Sequence, residues 1–233
     1  MYVTGGSEEY YMNLVADALE PYLRASGIGF VRNRPNMTAG QVIRASNAGN
    51  YDFHLALHSN AAPEGQYGEK QGVEVYYYPY SVNGRRAAQI IADNFKAIYP
   101  DPNAVVIKPT TALGEVDRTR ATAVLVEIAY HDNADDANWI INNIQPIART
   151  LALSLTEYFG IPFAEPQQSG QAVVVTRSGG LNIRQRPNTG ARIITSAPNG
   201  ARVTVYSDAG QGWKTVGYNG FTGYASGEYR RML

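Results

Sequence analysis

The sequence predicts an open, mostly parallel α/β sheet flanked by helices, followed by a small all-β barrel. Two observations carry this. Through the first two-thirds of the 233 residues, apolar runs of strand length alternate with helix-period stretches. After about residue 170 only short alternating runs remain, separated by Gly, Pro and Asn turn signals.

Taken in order, Ser7, Glu8 and Glu9 open a helical pattern in which Met12, Val15, Ala16, Leu19, Tyr22 and Leu23 recur. Pro21 inside it predicts a kink or break. Residues 28–32 read as a short strand and 39–48 as a helix. Residues 53–58 are nearly all apolar, as in a strand buried on both faces. Residues 73–78 read as another strand, 85–98 as an amphipathic helix and 104–107 as a short strand. Residues 123–128 form a second buried strand, apolar except for Glu127. A helical region over 135–159 closes the unit, with Pro146 starting its last helix.

Residues 163–171 form a Pro/Gln/Ser/Gly-containing linker between units at 1–162 and 172–233. In the second unit, strands are expected at 172–176, 181–184, 193–196, 202–207, 213–218 and 221–225. Asn219-Gly220 is a strong two-residue hairpin signal.

Composition narrows the chemistry. With 44% hydrophobic and 17% charged residues the chain can build a core, which argues against disorder. The absence of cysteine excludes disulfides, thiolate metal sites and thiol nucleophiles. Twenty basic and twenty acidic residues cancel, so no overall field draws the chain to nucleic acid. No apolar run approaches the roughly 18 residues a membrane helix needs, so no membrane insertion is expected. No basic start with an apolar run marks an export signal at the N-terminus.

Glu127 interrupts an apolar strand, so it is either a rim acid–base group or one half of a structural ion pair. His58 ends its strand and is placed for zinc or proton transfer, or for a structural hydrogen bond. His54 lies about 13 Å deeper on the same face and reads as structural. Glu9 is either a solvated helix-start acid or a ligand, and His131 a loop residue, a substrate contact or a ligand.

The runs around Glu9–Leu14, His54–Ala61, Gly72–Tyr77 and Ala123–Asn133 together resemble the zinc-dependent N-acetylmuramoyl-L-alanine amidases, over about residues 7–160. The resemblance implies an open α/β sheet and cleavage of the amide between N-acetylmuramic acid and the L-alanine of the peptidoglycan stem peptide. It implies Glu9 and His58 as zinc ligands and Glu127 as general base; Asn60, Arg118 and His131 are the candidate substrate contacts beside them. Arg118 and Arg120 equally well pair with Asp117 or Glu115.

The family also places a strand and a metal-binding histidine before the helix carrying Glu9. Only eight residues precede Glu9, and none is histidine. The expectations that follow are zinc held weakly or not at all, His131 or a water as substitute ligand, and a dimer through an exposed sheet edge. An N-terminus that starts late, and a catalytically inactive peptidoglycan-binding protein, are the further readings. Leu181-Asn182-Ile183-Arg184, Gly212-Trp213-Lys214 and Gly220 to Tyr224 resemble the bacterial SH3-like wall-binding domain. This implies peptidoglycan as partner and the cell wall as the place of action. A signalling scaffold with a peptide-binding barrel is the minor competing class.

Overall fold

The computed structural model describes residues 2–166 and 170–232. Residues 167–169 of the expected linker lie outside the described residues. Backbone contacts divide the chain into two units, one made of 1–13 with 30–163 and the other of 14–29 with 164–233.

In the first unit, β1 (Phe53–Asn60), β2 (Val73–Tyr77), β3 (Val105–Pro109) and β4 (Thr122–Tyr130) form one sheet in the order β1-β4-β2-β3. β1 runs parallel to β4, and β2 parallel to β3; β2 and β4 are antiparallel. The expected mostly parallel α/β sheet is therefore present with one antiparallel joint at its centre.

One sheet face carries Leu55, Leu57, Val124, Val126, Val75 and Tyr77, since these residues share rows of the register. Helices α3 (Val82–Lys96) and α6 (Ile144–Phe159) pack against each other, and α3 also contacts β2, β3 and β4. Ala88, Ile91, Ala92 and Phe95 of α3, and Ile147, Ala148, Leu151 and Ala152 of α6, are at most 2% exposed. Ser81 caps α3 through Gly84 N–H. The other face bears His54, Ala56 and His58. Ala56 and Leu125 form a small cluster there with Val116 of α4 (Gly114–Asp117). Helix α2 (Ala39–Ala48) packs on α4 and starts in a capping box between Thr38 and Gln41.

Two local expectations change, and a third is refined. Helix α1 (Glu8–Ala25) continues through Pro21, because the apolar stripe of Leu19 and Leu23 runs on past it and both are buried. Residues 28–32 form no strand. Ile28 N–H instead donates to Leu23 C=O and Gly27 takes φ +74°, a helix-ending motif that leaves the segment unpaired in any sheet. The region 135–159 is two helices, α5 (Ala134–Asn142) and α6, separated at Asn143. Pro146 sits in the first turn of α6, as expected.

The second unit holds an antiparallel seven-stranded sheet in the order β11-β5-β8-β9-β10-β6-β7. Its strands are β5 (Gly170–Val174), β6 (Gly180–Arg184), β7 (Ile193–Pro198), β8 (Arg202–Gly210), β9 (Trp213–Tyr218), β10 (Phe221–Ser226) and β11 (Arg230–Met232). Ala172, Val174, Leu181, Ile183, Ala197, Val203, Val205, Val216 and Ala225 form its core. Asn219 and Gly220 both take positive φ, 48° and 81°, as the two-residue hairpin between β9 and β10 requires. β11 was not foreseen.

Candidate active site

Strand pairing sets the frame. His58 on β1 lies opposite Glu127 on β4, and Glu127 lies opposite Glu74 on β2. Partners directly across a ladder point to the same face. A histidine and two carboxylates therefore form one row across three neighbouring strands. Just beyond it, the register of β1 and β4 slips between His58 and Asn60, and Ala129 takes φ +58°. This irregularity re-aims the end of β4, the loop end where ligands gather in α/β sheets.

Glu8 joins the row from the first turn of α1. Ser7 caps that helix, its hydroxyl accepting from Tyr10 N–H. Glu8 Oε1 stands 3.0 Å from His58 Nδ1 and accepts from Ser59 N–H at 3.1 Å. On the opposite side of the ring, His58 Nε2 meets Glu115 Oε2 at 3.2 Å, and Glu115 Oε1 meets His54 Nε2 at 3.3 Å. Burial pushes the His58 imidazole down, but its bonds to Glu115 and Glu8 outweigh this and lift it to about 10. Burial works against the Glu115 charge, yet hydrogen bonds from His54 and His58 bring it down to about 2. At neutral pH the arrangement is an imidazolium held between two carboxylates.

Glu127 and Glu74 are neighbours with opposite surroundings. Glu74 accepts Lys108 Nζ at 2.6 Å, Tyr130 OH at 2.8 Å, Tyr76 OH at 2.5 Å and Asn60 Nδ2 at 3.3 Å. Burial disfavours its charge, but these donors hold it below the usual carboxylate range. Glu127 has no such shell: its Oε2 is buried without a hydrogen-bond partner. Burial, countered by the His58 charge and assisted by Glu8 and Glu74, pushes it up to about 7. Two carboxylates side by side, one fixed as the anion and one half-protonated near neutrality, form an acid–base arrangement.

The remaining expected residues lie as follows. Glu9 is exposed, and its backbone carbonyl accepts from Asn13 Nδ2. The adjacent Glu8, not Glu9, reaches His58. His131 is buried; its Nδ1 donates to Ser59 C=O at 2.9 Å with the Ser59 hydroxyl at 3.0 Å, and its ring stacks on Tyr2. Asn60 is bound to Glu74 in the row. The Arg118 side chain is 74% exposed, with Asp117 at 3.9 Å. Arg120 is exposed as well. Sequence reasoning missed Glu8, Glu115, Glu74 and Lys108. A signal for Glu8 existed: Met12, Val15 and Leu19, at i+4, i+7 and i+11 from it, are all buried.

The loop of residues 61–72 leaves β1 and returns to β2, passing over the end of β4 that lies between them. Asp132 holds it twice, accepting from Ala62 N–H and Gly68 N–H, both at 3.1 Å. Asn133 Nδ2 donates to Gly68 C=O at 2.7 Å, and Asp136 accepts from Gly72 N–H at 3.0 Å. Tyr67 stands on this loop, 67% exposed.

The family model described as N-acetylmuramoyl-L-alanine amidase matches residues 2–157. The chain belongs to this family. A bacterial SH3 domain model matches residues 179–229, within the barrel of the second unit. No curated protein matches the chain. Among solved structures the amidase is similar to AmiC2, an N-acetylmuramoyl-L-alanine amidase of Nostoc punctiforme, at 16% identity and TM-score 0.60, over 68% of this chain and 88% of that one. It is similar to the catalytic domain of the CD27L endolysin at 24% identity and TM-score 0.55, over 64% and 83%. It is also similar to Cwp6 from Clostridium difficile at 24% identity and TM-score 0.59. That match covers 66% of this chain and only 26% of Cwp6, so the amidase spans about a quarter of Cwp6's length. These likenesses concern the fold.

The family is generally zinc-dependent. Glu8 Oε1 and His58 Nδ1 are the donor types zinc takes, and the unpartnered Glu127 oxygen lies beside them. The set fits zinc in kind but falls short in number: among the described residues no three His, Asp or Glu side chains converge as a metal group.

Proposed function

We propose that this chain hydrolyses the amide between N-acetylmuramic acid and the L-alanine of the peptidoglycan stem peptide, with Glu127 as the proton-transfer group. The observation that carries this is the buried, unpartnered Glu127 oxygen beside His58. A carboxyl poised near neutrality can take a proton from an attacking water and return it to the departing amine. Glu74, anchored by four donors, stays anionic and leaves that exchange to Glu127. Loop 61–72, tied down by Asp132, runs over the end of β4, the strand that carries Glu127.

Glu8 and His58 are the residues we assign to hold zinc, with the third protein ligand open. Bound zinc would polarise the amide carbonyl and acidify a bound water. His58 would hold zinc only as the neutral imidazole, so metal would compete with the proton that His58 shares with its carboxylate partners. The reading extends to three further points: units at 1–162 and 172–233 joined by 163–171, action at the cell wall, and pairing of two copies along β1, one of the two outer strands of the first sheet. Light scattering of the chain tests that pairing.

A second reading is a peptidoglycan-binding protein that does not hydrolyse; the shortage of metal donors favours it. One experiment separates the two. Glu127→Gln should abolish release of L-alanine amino termini from purified peptidoglycan while co-sedimentation with it persists, and undiminished release would remove Glu127 from the mechanism. Zinc-loaded wild-type protein should carry metal that His58→Ala lacks. Neither zinc nor release in the wild type would establish the binding-only reading.

A further inference from the structure

The zero net charge of the chain conceals a division. Residues 170–233 hold seven arginines and one lysine against Asp208 and Glu228, a net of +6, while residues 1–169 hold 12 basic and 18 acidic side chains, a net of −6. The barrel is therefore a cationic module with few acids of its own to neutralise it.

Strand register shows how part of this charge is displayed. Val173 on β5 lies opposite Arg202 on β8 and opposite Arg231 on β11. The three residues share one row and one face. Ala172, Val174 and Val203, their chain neighbours, are at most 1% exposed, so this row points away from the core. Arg202 and Arg231 are exposed, and among the described residues neither has an ion-pair partner. Two strand spacings, about 10 Å, separate their backbones. A second group sits at the other end of the sheet order, where Arg184, the exposed Arg186 and the exposed Arg192 belong to the β6–β7 hairpin.

We propose that the outer face of the barrel binds a phosphodiester-linked anionic polymer of the cell wall. This rests on the proposed action at the wall and adds a ligand distinct from the stem peptide. Three features select the ligand. Positive charge spread from β11 to β7 matches a chain of repeated negative charges better than one small anion. The cations are nearly all arginine, whose planar fork pairs bidentately with phosphate oxygens. Arg202 and Arg231, about 10 Å apart along one outward row and without ion-pair partners among the described residues, can take successive charges of such a chain.

The test uses the full chain and two preparations of sacculi, one retaining its phosphodiester polymer and one stripped of it by acid. Co-sedimentation should fall on the order of tenfold on stripping, and by a similar factor between about 50 and 300 mM salt, as exposed charges are screened. Arg202→Gln with Arg231→Gln should weaken binding several-fold on unstripped sacculi only, with an unchanged circular dichroism spectrum. Cleavage of a soluble muramoyl peptide, measured alongside, should be the same in this variant; its absence from the wild type would count against the amidase reading without touching this one. Equal binding to stripped and unstripped sacculi would overturn the proposal. So would salt-sensitive growth in particle size without any wall present, which would assign the cationic face to the acidic surface of a second copy.

Discussion

Replacing Glu127 by glutamine should change how stability depends on pH. Burial with no hydrogen-bond partner raises this carboxyl from its ordinary 4.5 to about 7. A group whose folded value lies above its unfolded value stabilises the fold fully below the unfolded value, here 4.5. That contribution is lost as pH rises through about 7. The difference of about 2.5 pH units, at about 1.4 kcal/mol each, amounts to roughly 3 kcal/mol. Glutamine does not titrate. The stability of wild type minus that of Glu127→Gln should therefore fall by roughly 3 kcal/mol between pH 4.5 and 8.5. Taking the difference also removes most of the neighbours' effects. His58, raised to about 10, stabilises below 6.5 and loses that contribution only as pH climbs through 10. Glu115, lowered to about 2, stabilises above 4.5 and loses it as pH falls through 2. Urea unfolding at pH 5, 6, 7 and 8.5, followed by circular dichroism, measures the quantity. A difference that stays flat across this range would refute the burial argument for Glu127.

Two other outcomes follow from the loop beside the site. Gly72 takes φ +116°, and a Cβ there would stand 2.2 Å from Ala104 O, so Gly72→Ala should cost about 2 kcal/mol or more, read as a lower urea midpoint. Asp132→Ala removes the acceptor for Ala62 and Gly68 N–H; amides in 61–70 should exchange faster and KM should rise several-fold with kcat little changed, whereas unaltered exchange would show the loop is held by other contacts.

The strands of the site were legible because apolar runs announce them, and Glu127 and His58 stood out as polar interruptions of such runs. The hairpin at Asn219-Gly220 was legible for a local reason, since positive φ at both positions selects those residue types. Glu8 and Glu9 are adjacent acids, and only the helix phase distinguishes them. Glu115 could not be found, because α4 is four residues long and too short to carry a period. Glu74 carries no signal of its own in the sequence; its meaning comes from Lys108, Tyr76, Tyr130 and Asn60 meeting it from β3, β2, β4 and β1. Residues 28–32 show the opposite failure, where a strand-like composition finds no partner strand.

The position of β4 within its sheet bears on how the site comes apart. β4 is hydrogen-bonded on both edges, to β1 and β2, whereas β1 is bonded to β4 alone and Glu8 hangs from the first turn of a helix. Backbone protected on both sides opens last, and helix ends open first. Glu127 therefore belongs to the most durable part of the fold, and the Glu8 contact to one of the least. Thermal fluctuation should release the Glu8–His58 pair many times for each loss of Glu127 from its row. Opening at the Glu8 corner can then proceed without moving Glu127 out of its row.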